Sequence, residues 1–416
     1  ALVSSRLNGE TARGVVSSPA RGLAEPDLRP RLAGWVPRTT LVRHRTGRRT
    51  TRRLTSCRDV RRSTAYAGVD MLTVLTIDMS KGLPAVDSDA LMTSAEIAYA
   101  SPASLYVAAQ RWEPEPDSPS DRPPDTRTDV HKFDISAPGR TEYRGSGVVP
   151  GYLLNQFSLS EHRGVLRAAT TETPLWWGGR PAAESQSFVT TLDERAGRLA
   201  ELGRVEGLGR GERIYAVRFV EDIGFVVTFR QTDPLYTVDL ADPRRPRVLG
   251  ELKIRGYSAY LHPLGGDLLL GVGQDATEEG ARLGTQLSLF DVSDLRRPTR
   301  LQQRSVGSGS SSQVEYDHHA FLWWAPSELA VLPVQEYGDS EQFVGAIGFG
   351  VDRAGIGERG RAAHQADGYA APILRSFVVG GRLFTLSDVG LEANTLSTLA
   401  EEGSLKFPAP LANGTG

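Results

Sequence analysis

The sequence has few residues of the kinds that impose a covalent framework or a membrane span. It contains one cysteine, Cys57, among 416 residues, so it can form neither an internal disulfide framework nor a cysteine-based zinc cluster. No run of 18 apolar residues occurs, which excludes a membrane-spanning helix. Only four of the 48 basic residues are lysine. This bias toward arginine runs through the whole chain and is typical of a GC-rich genome.

Catalytic signatures are missing as well. The chain has no G-x-S-x-G elbow and no H-E-x-x-H motif, the commonest marks of serine hydrolases and zincins. Gly355-Ile-Gly-Glu-Arg-Gly360 matches G-x-G-x-x-G, but it follows an acidic residue at a hairpin turn. A dinucleotide site needs a strand before this motif and a helix after it, so we expect a turn here. The sequence favours a protein that is not an enzyme.

The net charge of -2 hides an asymmetry. Residues 1–65 carry 15 arginines and 4 acidic residues, whereas the remainder carries 33 basic and 46 acidic residues. The densest basic run, Arg43 to Arg53, lacks the aromatic residues on which single-strand binders stack bases. We therefore expect no nucleic-acid partner, and expect the basic end to pair with the acidic body of the chain.

The chain begins with Ala1 and shows no charged segment followed by an apolar segment and a small-residue cleavage site. Two alternatives fit this start. Either the protein is cytosolic and trimmed, or the sequence is a mature or truncated piece of something longer.

Short apolar or alternating runs bounded by Gly, Pro and Asp predict strands, and no stripe of helical period is sustained. The runs are 72–77, 213–220, 224–229, 235–240, 267–272 and 286–292. One segment repeats clearly: residues 235–252 recur as residues 287–301, and each copy has an Asp-x-x-Asp pair at its turn. Weaker copies also end on an acidic residue. Over all copies these acidic residues are 78, 134, 193, 239, 291, 352 and 388. Their spacing of roughly fifty residues is near the period of propeller blades.

Each copy is interpreted as a hairpin. The acid at the end of a strand can accept a backbone N–H two residues on, and Pro243 and Pro246 then end the pairing. Two more strands lie between successive hairpins, so four strands form one blade. We predict one all-β domain over residues 1–416, a β-propeller of about seven four-stranded blades, with six or eight as alternatives. Residues 1–65 would contribute strands (2–7 and 12–17) to the first or last blade.

Several stretches resemble the family of bacterial secreted proteins with a C-terminal β-propeller domain, which is distantly similar to WD-type propellers. They are residues 155–162, 211–219, 227–236, 256–264 and 317–322. The resemblance covers roughly residues 54–400. It implies a secreted or cell-surface protein of uncharacterised function, anchored in many members by an N-terminal segment. It supplies no catalytic or binding residues.

Asp317-His318-His319 is the densest group of ligand-type residues. Imidazole nitrogen and carboxylate oxygen together suit a divalent metal. On a strand, however, His318 and His319 would point to opposite faces, so only Asp317 and His319 would share one. A site would then need His262, Glu161 and His162 from other blades, converging on the central channel. Hydrogen bonding to loops and channel waters is the alternative, and the expectation is no cofactor.

Two aromatic pairs, Trp176-Trp177 and Trp323-Trp324, are candidates for ligand contact together with His262. Aromatic residues in a propeller also fill the wedge between blades, which is the alternative. The Asp-x-x-Asp pairs supply too few oxygens for calcium and are expected to cap turns. Cys57 shows no sign of use as a nucleophile.

The leading functional hypothesis is an extracytoplasmic binding or scaffold protein, without enzymatic activity. It would be a monomer that holds an unknown protein or glycan at one face of the propeller. The alternative is a metal-assisted hydrolase or lyase that works at the central channel.

Overall fold

A computed structural model describes residues 1–19, 36–63, 65–82, 85–113, 125–173, 176–177, 180–181, 184–230, 233–277, 280–337, 342–366 and 368–408. The chain divides into two compact units. The first comprises residues 1–213 and 240–246, and the second comprises residues 214–239 and 247–416. The prediction of a single domain stays a prediction.

The fold is all-β, as predicted. Over the described residues, helical structure is limited to 3₁₀ turns of three residues each: Cys57–Asp59, Gln156–Ser158, Gln313–Glu315, His318–Ala320 and Ala325–Ser327. None of these could cross a membrane. Residues 113–124 are rich in proline, which indicates a long loop; this segment lies outside the described residues apart from residue 113.

The first unit begins with a five-stranded sheet formed by strands between residues 2 and 92. Its strands, with the hairpin β3–β4 that lies beside it, are β1 (Leu2–Asn8), β2 (Thr11–Ser18), β3 (Arg38–Val42), β4 (Arg49–Arg53), β5 (Val60–Arg62), β6 (Met71–Asp78) and β7 (Asp87–Met92). The sheet order is β1-β2-β6-β7-β5. Because β2 pairs with β6 along its whole length, the predicted N-terminal strands join the first sheet.

The remaining strands of the first unit all belong to one connected sheet, except for the separate hairpin β15–β16. They are β8 (Ile97–Ala100), β9 (Ser104–Glu113), β10 (Asp125–Asp134), β11 (Glu142–Pro150), β12 (Tyr152–Leu153), β13 (Leu159–His162), β14 (Val165–Glu172), β15 (Trp176–Trp177), β16 (Arg180–Pro181), β17 (Gln186–Arg195) and β18 (Arg198–Leu208). Strands β8–β11 form one meander, and β12 or β13, β14, β17 and β18 form another. A single parallel bridge, Ser146 to Arg198, joins them.

The second unit repeats the four-stranded meander. Its strands are β19 (Arg213–Val220), β20 (Ile223–Phe229), β21 (Asp233–Asp239), β22 (Arg247–Ile254), β23 (Tyr257–Gly265), β24 (Leu268–Ala276), β25 (Arg282–Asp291), β26 (Thr299–Ser305), β27 (Ser311–Ser312), β28 (Leu322–Trp324), β29 (Leu329–Tyr337), β30 (Gln342–Asp352), β31 (Gly355–Ala362), β32 (His364–Ala366), β33 (Tyr369–Ala371), β34 (Arg375–Val379), β35 (Arg382–Leu386), β36 (Gly390–Asn394) and β37 (Glu401–Lys406). The meanders are β19–β22, β23–β26, β27 or β28 with β29–β31, and β34–β37. The number of blades stays a prediction.

Four of the seven acidic residues that mark the repeats act as predicted. Asp78, Asp134, Asp291 and Asp352 each accept the backbone N–H of the residue two positions on, at 2.7 to 3.1 Å. In the Asp-x-x-Asp turns, Asp242 accepts the N–H of Arg244 at 3.0 Å, and Asp294 does the same for Arg296. The expected capping of turns by these carboxylates is confirmed.

Glycines let these turns sit against a neighbouring sheet. A Cβ at Gly250 would lie 2.6 Å from the carbonyl oxygen of Leu295, in the turn that Asp294 caps. The hydroxyl of Thr237 donates to the same oxygen at 2.5 Å. The G-x-G-x-x-G sequence, residues 355–360, lies within strand β31 and not in a turn. The expected turn comes directly before it, at residues 353–354, where Asp352 accepts the backbone N–H of Ala354.

The hairpin β3–β4 carries the densest basic run of the chain. Its arginines are exposed, and none of them forms an ion pair with a carboxylate in the described parts of the chain. Elsewhere in the basic end, burial lowers the pKa of Arg13, and the charges of Asp134 and Asp87 oppose this shift by favouring the protonated form. Pairing of the basic end with the acidic body of the chain stays a prediction.

Candidate functional site

The segment between β26 and β29 departs most clearly from the regular meander of the second unit. In place of a continuous first strand, this sheet has two short strands, β27 and β28, and both pair with β29. Two 3₁₀ turns, Gln313–Glu315 and His318–Ala320, separate the pieces. The interruption places nine residues, 313–321, where a strand would otherwise run.

Buried polar contacts hold the first 3₁₀ turn in place. Ser312 and Glu315 form a capping box, which satisfies two backbone donors at once. The Ser312 hydroxyl donates to the carbonyl oxygen of Pro333 at 2.7 Å, and the Glu315 carboxylate accepts from Gln274 at 2.6 Å. Burial raises the pKa of Glu315 above its usual range, although these hydrogen bonds oppose the shift. The segment is thus tied to two strands of its unit.

The second 3₁₀ turn brings Asp317, His318 and His319 together. Asp317 is its N-cap, and Oδ1 accepts the backbone N–H of His319 at 3.0 Å. The same oxygen lies 3.0 Å from Nδ1 of His319, and the two imidazole rings are 3.8 Å apart. Candidate ligand atoms of all three residues lie within 4.8 Å of one another.

The predicted strand geometry of this group was wrong. We expected His318 and His319 on opposite faces of a strand, but the cap by Asp317 coils the backbone into a 3₁₀ turn that places both rings beside the carboxylate. Sequence reasoning therefore missed His318 as a member of the group. The signal was present, because Asp317 precedes a backbone N–H two residues on, as the acids of the repeats do.

Arg375 completes the charge balance of this group. Its guanidinium lies 2.7 Å from Oδ2 of Asp317. Burial alone would raise the pKa of Asp317, but hydrogen bonds from His319 and Arg375 outweigh it and hold the pKa below its usual value. Asp317 is therefore ionised at neutral pH, with one oxygen toward the histidines and the other toward Arg375.

An aromatic cluster surrounds His262 on the neighbouring strand β23. The ring of Phe321 lies 5.1 Å from the imidazole and that of Trp323 lies 6.3 Å away, while the Tyr260 hydroxyl is 3.1 Å from Nδ1. Burial, reinforced by the positive charge of Arg218, lowers the pKa of His262 to about 4. The imidazole is therefore neutral at physiological pH.

A small cavity of about 250 Å³ opens beside the Asp317 turn. Gln313 and Tyr316 line it from the interrupted segment, and Ile373 and Leu374 line it from the chain that leads to β34. Tyr316 is 76% exposed and Leu374 is 43% exposed. The pair Asp317–Arg375 follows these two residues directly in the sequence, so a charged pair stands at the rim of a pocket with partly apolar walls.

The remaining predicted residues lie elsewhere. Trp324 is half-buried and packs against the core cluster of β29, β30 and β35, which is the structural alternative considered for it. Trp176 and Trp177 form β15, which pairs with β16 in a short hairpin; their side chains lie outside the description. Glu161 and His162 are in β13 of the first unit.

Glu161 already has hydrogen-bond partners. Its carboxylate accepts from the hydroxyls of Ser101 at 2.5 Å and Ser104 at 3.3 Å. Strands β12 and β13 are themselves the two pieces of an interrupted first strand, separated by the 3₁₀ turn Gln156–Ser158, which Asn155 caps. Glu161 and His162 lie in the second piece of that strand, whereas Asp317, His318 and His319 lie in the turn between the two pieces of theirs.

A serine–histidine–carboxylate arrangement does occur in the last sheet. Nδ1 of His364 lies 2.7 Å from Oγ of Ser387, and Nε2 lies 3.6 Å from the Glu392 carboxylate. Ser387 and His364 are each only 2% exposed, so no substrate reaches the hydroxyl. Burial lowers the pKa of His364. This network is a satisfied structural one.

Comparison with known proteins identifies the fold family. The family model described as a beta propeller domain matches residues 1–399. An uncharacterised protein of Archaeoglobus fulgidus is 43% identical over 212 residues, which cover 51% of this chain and 30% of the relative. An uncharacterised protein of Methanocaldococcus jannaschii is 41% identical over 192 residues, covering 46% of this chain and 29% of the relative. The matched regions span less than a third of these relatives.

A solved structure is also similar. Sqt1 of Chaetomium thermophilum matches with a TM-score of 0.46 and 11% sequence identity, over 82% of this chain and 81% of that one. Both relatives found by sequence are archaeal, whereas the expected family was described as bacterial.

Proposed function

Because the chain belongs to the β-propeller domain family, we propose that it is an extracytoplasmic binding or scaffold protein that acts without catalysis. The partner would be a protein, held at the cavity beside Tyr316 and Leu374. The exposure of Tyr316 above a preformed cavity is the observation that carries this proposal. Exposed tyrosine beside a pocket is typical of the residues that dominate binding energy at protein interfaces.

The anchoring of this surface supports the same function. A partner bound by a mobile loop must order that loop at a cost in affinity, whereas Ser312, Glu315 and Asp317 already fix the backbone around Tyr316. The Asp317–Arg375 pair at the rim supplies polar contacts of both signs. Trp323, with Phe321 and His262, extends the aromatic surface along the same segment.

Selection from a random peptide library on the purified chain tests this proposal. Tyr316→Ala is expected to weaken the selected peptides at least about tenfold, as truncation of an interface anchor does. Tyr66→Ala is the matched control, because Tyr66 is 77% exposed and lies in the first unit. Equal losses in the two variants, or no selected peptide at all, would contradict the proposal. A glycan array with the same variants covers the glycan alternative.

The group Asp317–His318–His319 favours a second candidate, a metal-assisted hydrolase or lyase. Two imidazoles and one carboxylate suit Zn²⁺ and related ions and would leave coordination positions open for water or substrate. His262, on the neighbouring strand β23 of the same unit, remains part of this hypothesis. The location outside the cytoplasm and the monomeric state are proposals as well.

Titration with Zn²⁺ separates these candidates. The double variant His318→Ala/His319→Ala is expected to lose at least about tenfold in Zn²⁺ affinity if the group binds metal, while His44→Ala, which removes an exposed histidine of the β3–β4 hairpin, is not. Unchanged Zn²⁺ affinity in the double variant removes the metal candidate. Hydrolysis of an ester, lactone or glycan by the Zn²⁺-loaded chain, lost in the double variant, would replace the binding function.

A further inference from the structure

The hairpin β3–β4 sorts its arginines onto two faces. Strands alternate their side chains, and the register pairs Thr39 with Arg52 and Leu41 with Thr50. Arg43, Arg48 and Arg52 therefore share the face that carries Leu41. The hairpin holds seven arginines and no acid: Arg38, Arg43, Arg45, Arg48, Arg49, Arg52 and Arg53.

This face closes one side of a groove in the first unit. The groove has a volume of about 750 Å³ and runs between the hairpin and strands β6 and β7. Its apolar lining comes from aliphatic side chains: Leu41, Leu54, Leu75, Ile77, Ala85 and Val86. All but Val86, which is exposed, are half-buried. Among the described residues that line the groove, none is aromatic.

The charged lining of the groove is predominantly positive. Arg43, Arg48, Arg52 and Arg53 contribute four cations, against the two carboxylates of Asp59 and Asp87. The Asp87 carboxylate already accepts the backbone N–H of Thr141 at 2.7 Å. The four arginines have no ion-pair partner among the described residues. The groove thus combines an aliphatic surface with guanidinium groups that form no ion pair with a carboxylate of the described residues.

We propose that this groove binds an anionic amphiphile, a single aliphatic chain that carries a phosphate headgroup. Arginine presents donors in a planar fork that matches phosphate oxygens, and the aliphatic lining would remove the chain from water. The volume lies within the range of small-molecule sites. A nucleic acid fits less well, since the groove offers no aromatic ring for stacking. The site is independent of the peptide surface proposed for the second unit.

Calorimetry with dodecyl phosphate below its micellar concentration tests the proposal on the full chain. At about 0.15 M salt, where long-range attraction is screened, dodecyl phosphate is expected to bind at least tenfold tighter than inorganic phosphate or dodecyl maltoside. These two probes supply the headgroup and the chain alone. Equal binding of inorganic phosphate would overturn the role of the aliphatic lining. Tighter binding of a 20-base-pair DNA duplex or of an acidic peptide would overturn the choice of ligand.

Two triple variants of equal charge locate the site. Arg43→Ala/Arg48→Ala/Arg52→Ala removes the groove face, and Arg38→Ala/Arg45→Ala/Arg49→Ala removes three arginines that do not line the groove. The first is expected to weaken dodecyl phosphate at least about tenfold and the second less than about threefold, since direct charged hydrogen bonds outweigh a screened field. Equal loss in both would overturn the proposal.

A change in the aliphatic lining keeps the test decisive if a triple variant unfolds. Val86→Ser alters an exposed side chain of the groove. It is expected to reduce the gain in affinity from hexyl to dodecyl phosphate while leaving inorganic phosphate unaffected, because only the chain contacts change. The same gain in the variant and the unaltered protein would overturn the placement of the chain.

Discussion

Strand β31 contains one glycine that packing requires and one that it does not, so the two can be compared directly. A Cβ added at Gly360 would lie 1.8 Å from the carbonyl oxygen of Thr398, a backbone atom. Three residues earlier in the same strand, a Cβ at Gly357 meets nothing within 4 Å. Neither glycine has a positive φ, so the substitutions Gly360→Ala and Gly357→Ala differ in space alone.

The cost at Gly360 follows from what must move. Ordinary contact between nonbonded atoms begins near 3.5 Å, so strand and turn would have to separate by about 1.7 Å. Thr398 is followed by Leu399, which is 1% exposed and belongs to the core cluster of this sheet. Displacing the turn therefore lifts a core leucine as well. Overpacking of this kind typically costs 1–3 kcal/mol, and we expect about 3 kcal/mol for Gly360→Ala.

Thermal and urea unfolding of both variants measure the difference. Gly360→Ala is expected to lower Tm by about 6–12 °C, on the scaling for units of this size. Gly357→Ala is expected to raise stability by up to about 1 kcal/mol, because alanine restricts the unfolded chain. Equal shifts in the two variants would refute the reasoning that the close approach of Thr398 fixes glycine at 360.

Two further predictions concern polar groups inside the sheets. Burial, and then the charge of Asp87, raise the pKa of Asp89 to about 6. The folded state therefore favours the protonated carboxyl, and the resulting contribution to stability is complete below pH 4 and lost as the pH rises through 6. Asp89→Asn should raise the free energy of unfolding at pH 8 by about 1–2 kcal/mol, after discounting for partial exposure, and should leave it unchanged at pH 3.5. Urea unfolding that shows the same gain at both pH values would contradict this. Thr237→Val removes a donor to the carbonyl oxygens of Leu295 and Gly250 and should cost about 1–2 kcal/mol. Thr73→Val is its control, since the Thr73 hydroxyl is equally buried and has no partner among the described residues; equal losses would show that the Thr237 bonds contribute nothing.

The repeated strands could be predicted because they depend on local patterns. Strand 213–220 begins and ends where the sequence placed it, and the run 224–229 differs from its strand by one residue at the start. The acid at the end of each strand identifies the turn, since the Asx contact needs only a carboxylate and the N–H two residues on. The Asp291 and Asp352 contacts confirm this. Contacts between residues so close in sequence can be predicted from the sequence pattern alone.

The candidate site could be predicted in composition but not in geometry. Asp317 and His319 were picked out correctly as neighbours, whereas the alternation expected of a strand separated His318 from them. Tyr316 and Arg375 gave no signal, because the cavity arises only when the chain before β34 packs against the interrupted strand. Contacts over such a distance in sequence have no local pattern.

The interruption of a first strand connects these observations. In the regular meanders the first strand, such as β19 or β23, runs for eight or nine residues. In two sheets it is instead split by a 3₁₀ turn capped by Asn155 or Asp317. The flanking pieces still pair with the second strand, so the sheet keeps its register. In the turn, adjacent side chains can lie side by side, whereas a pleated strand would place them on opposite faces. Residues in these turns can therefore change without altering the strand pairing, so a partner of this protein should first be sought at these turns.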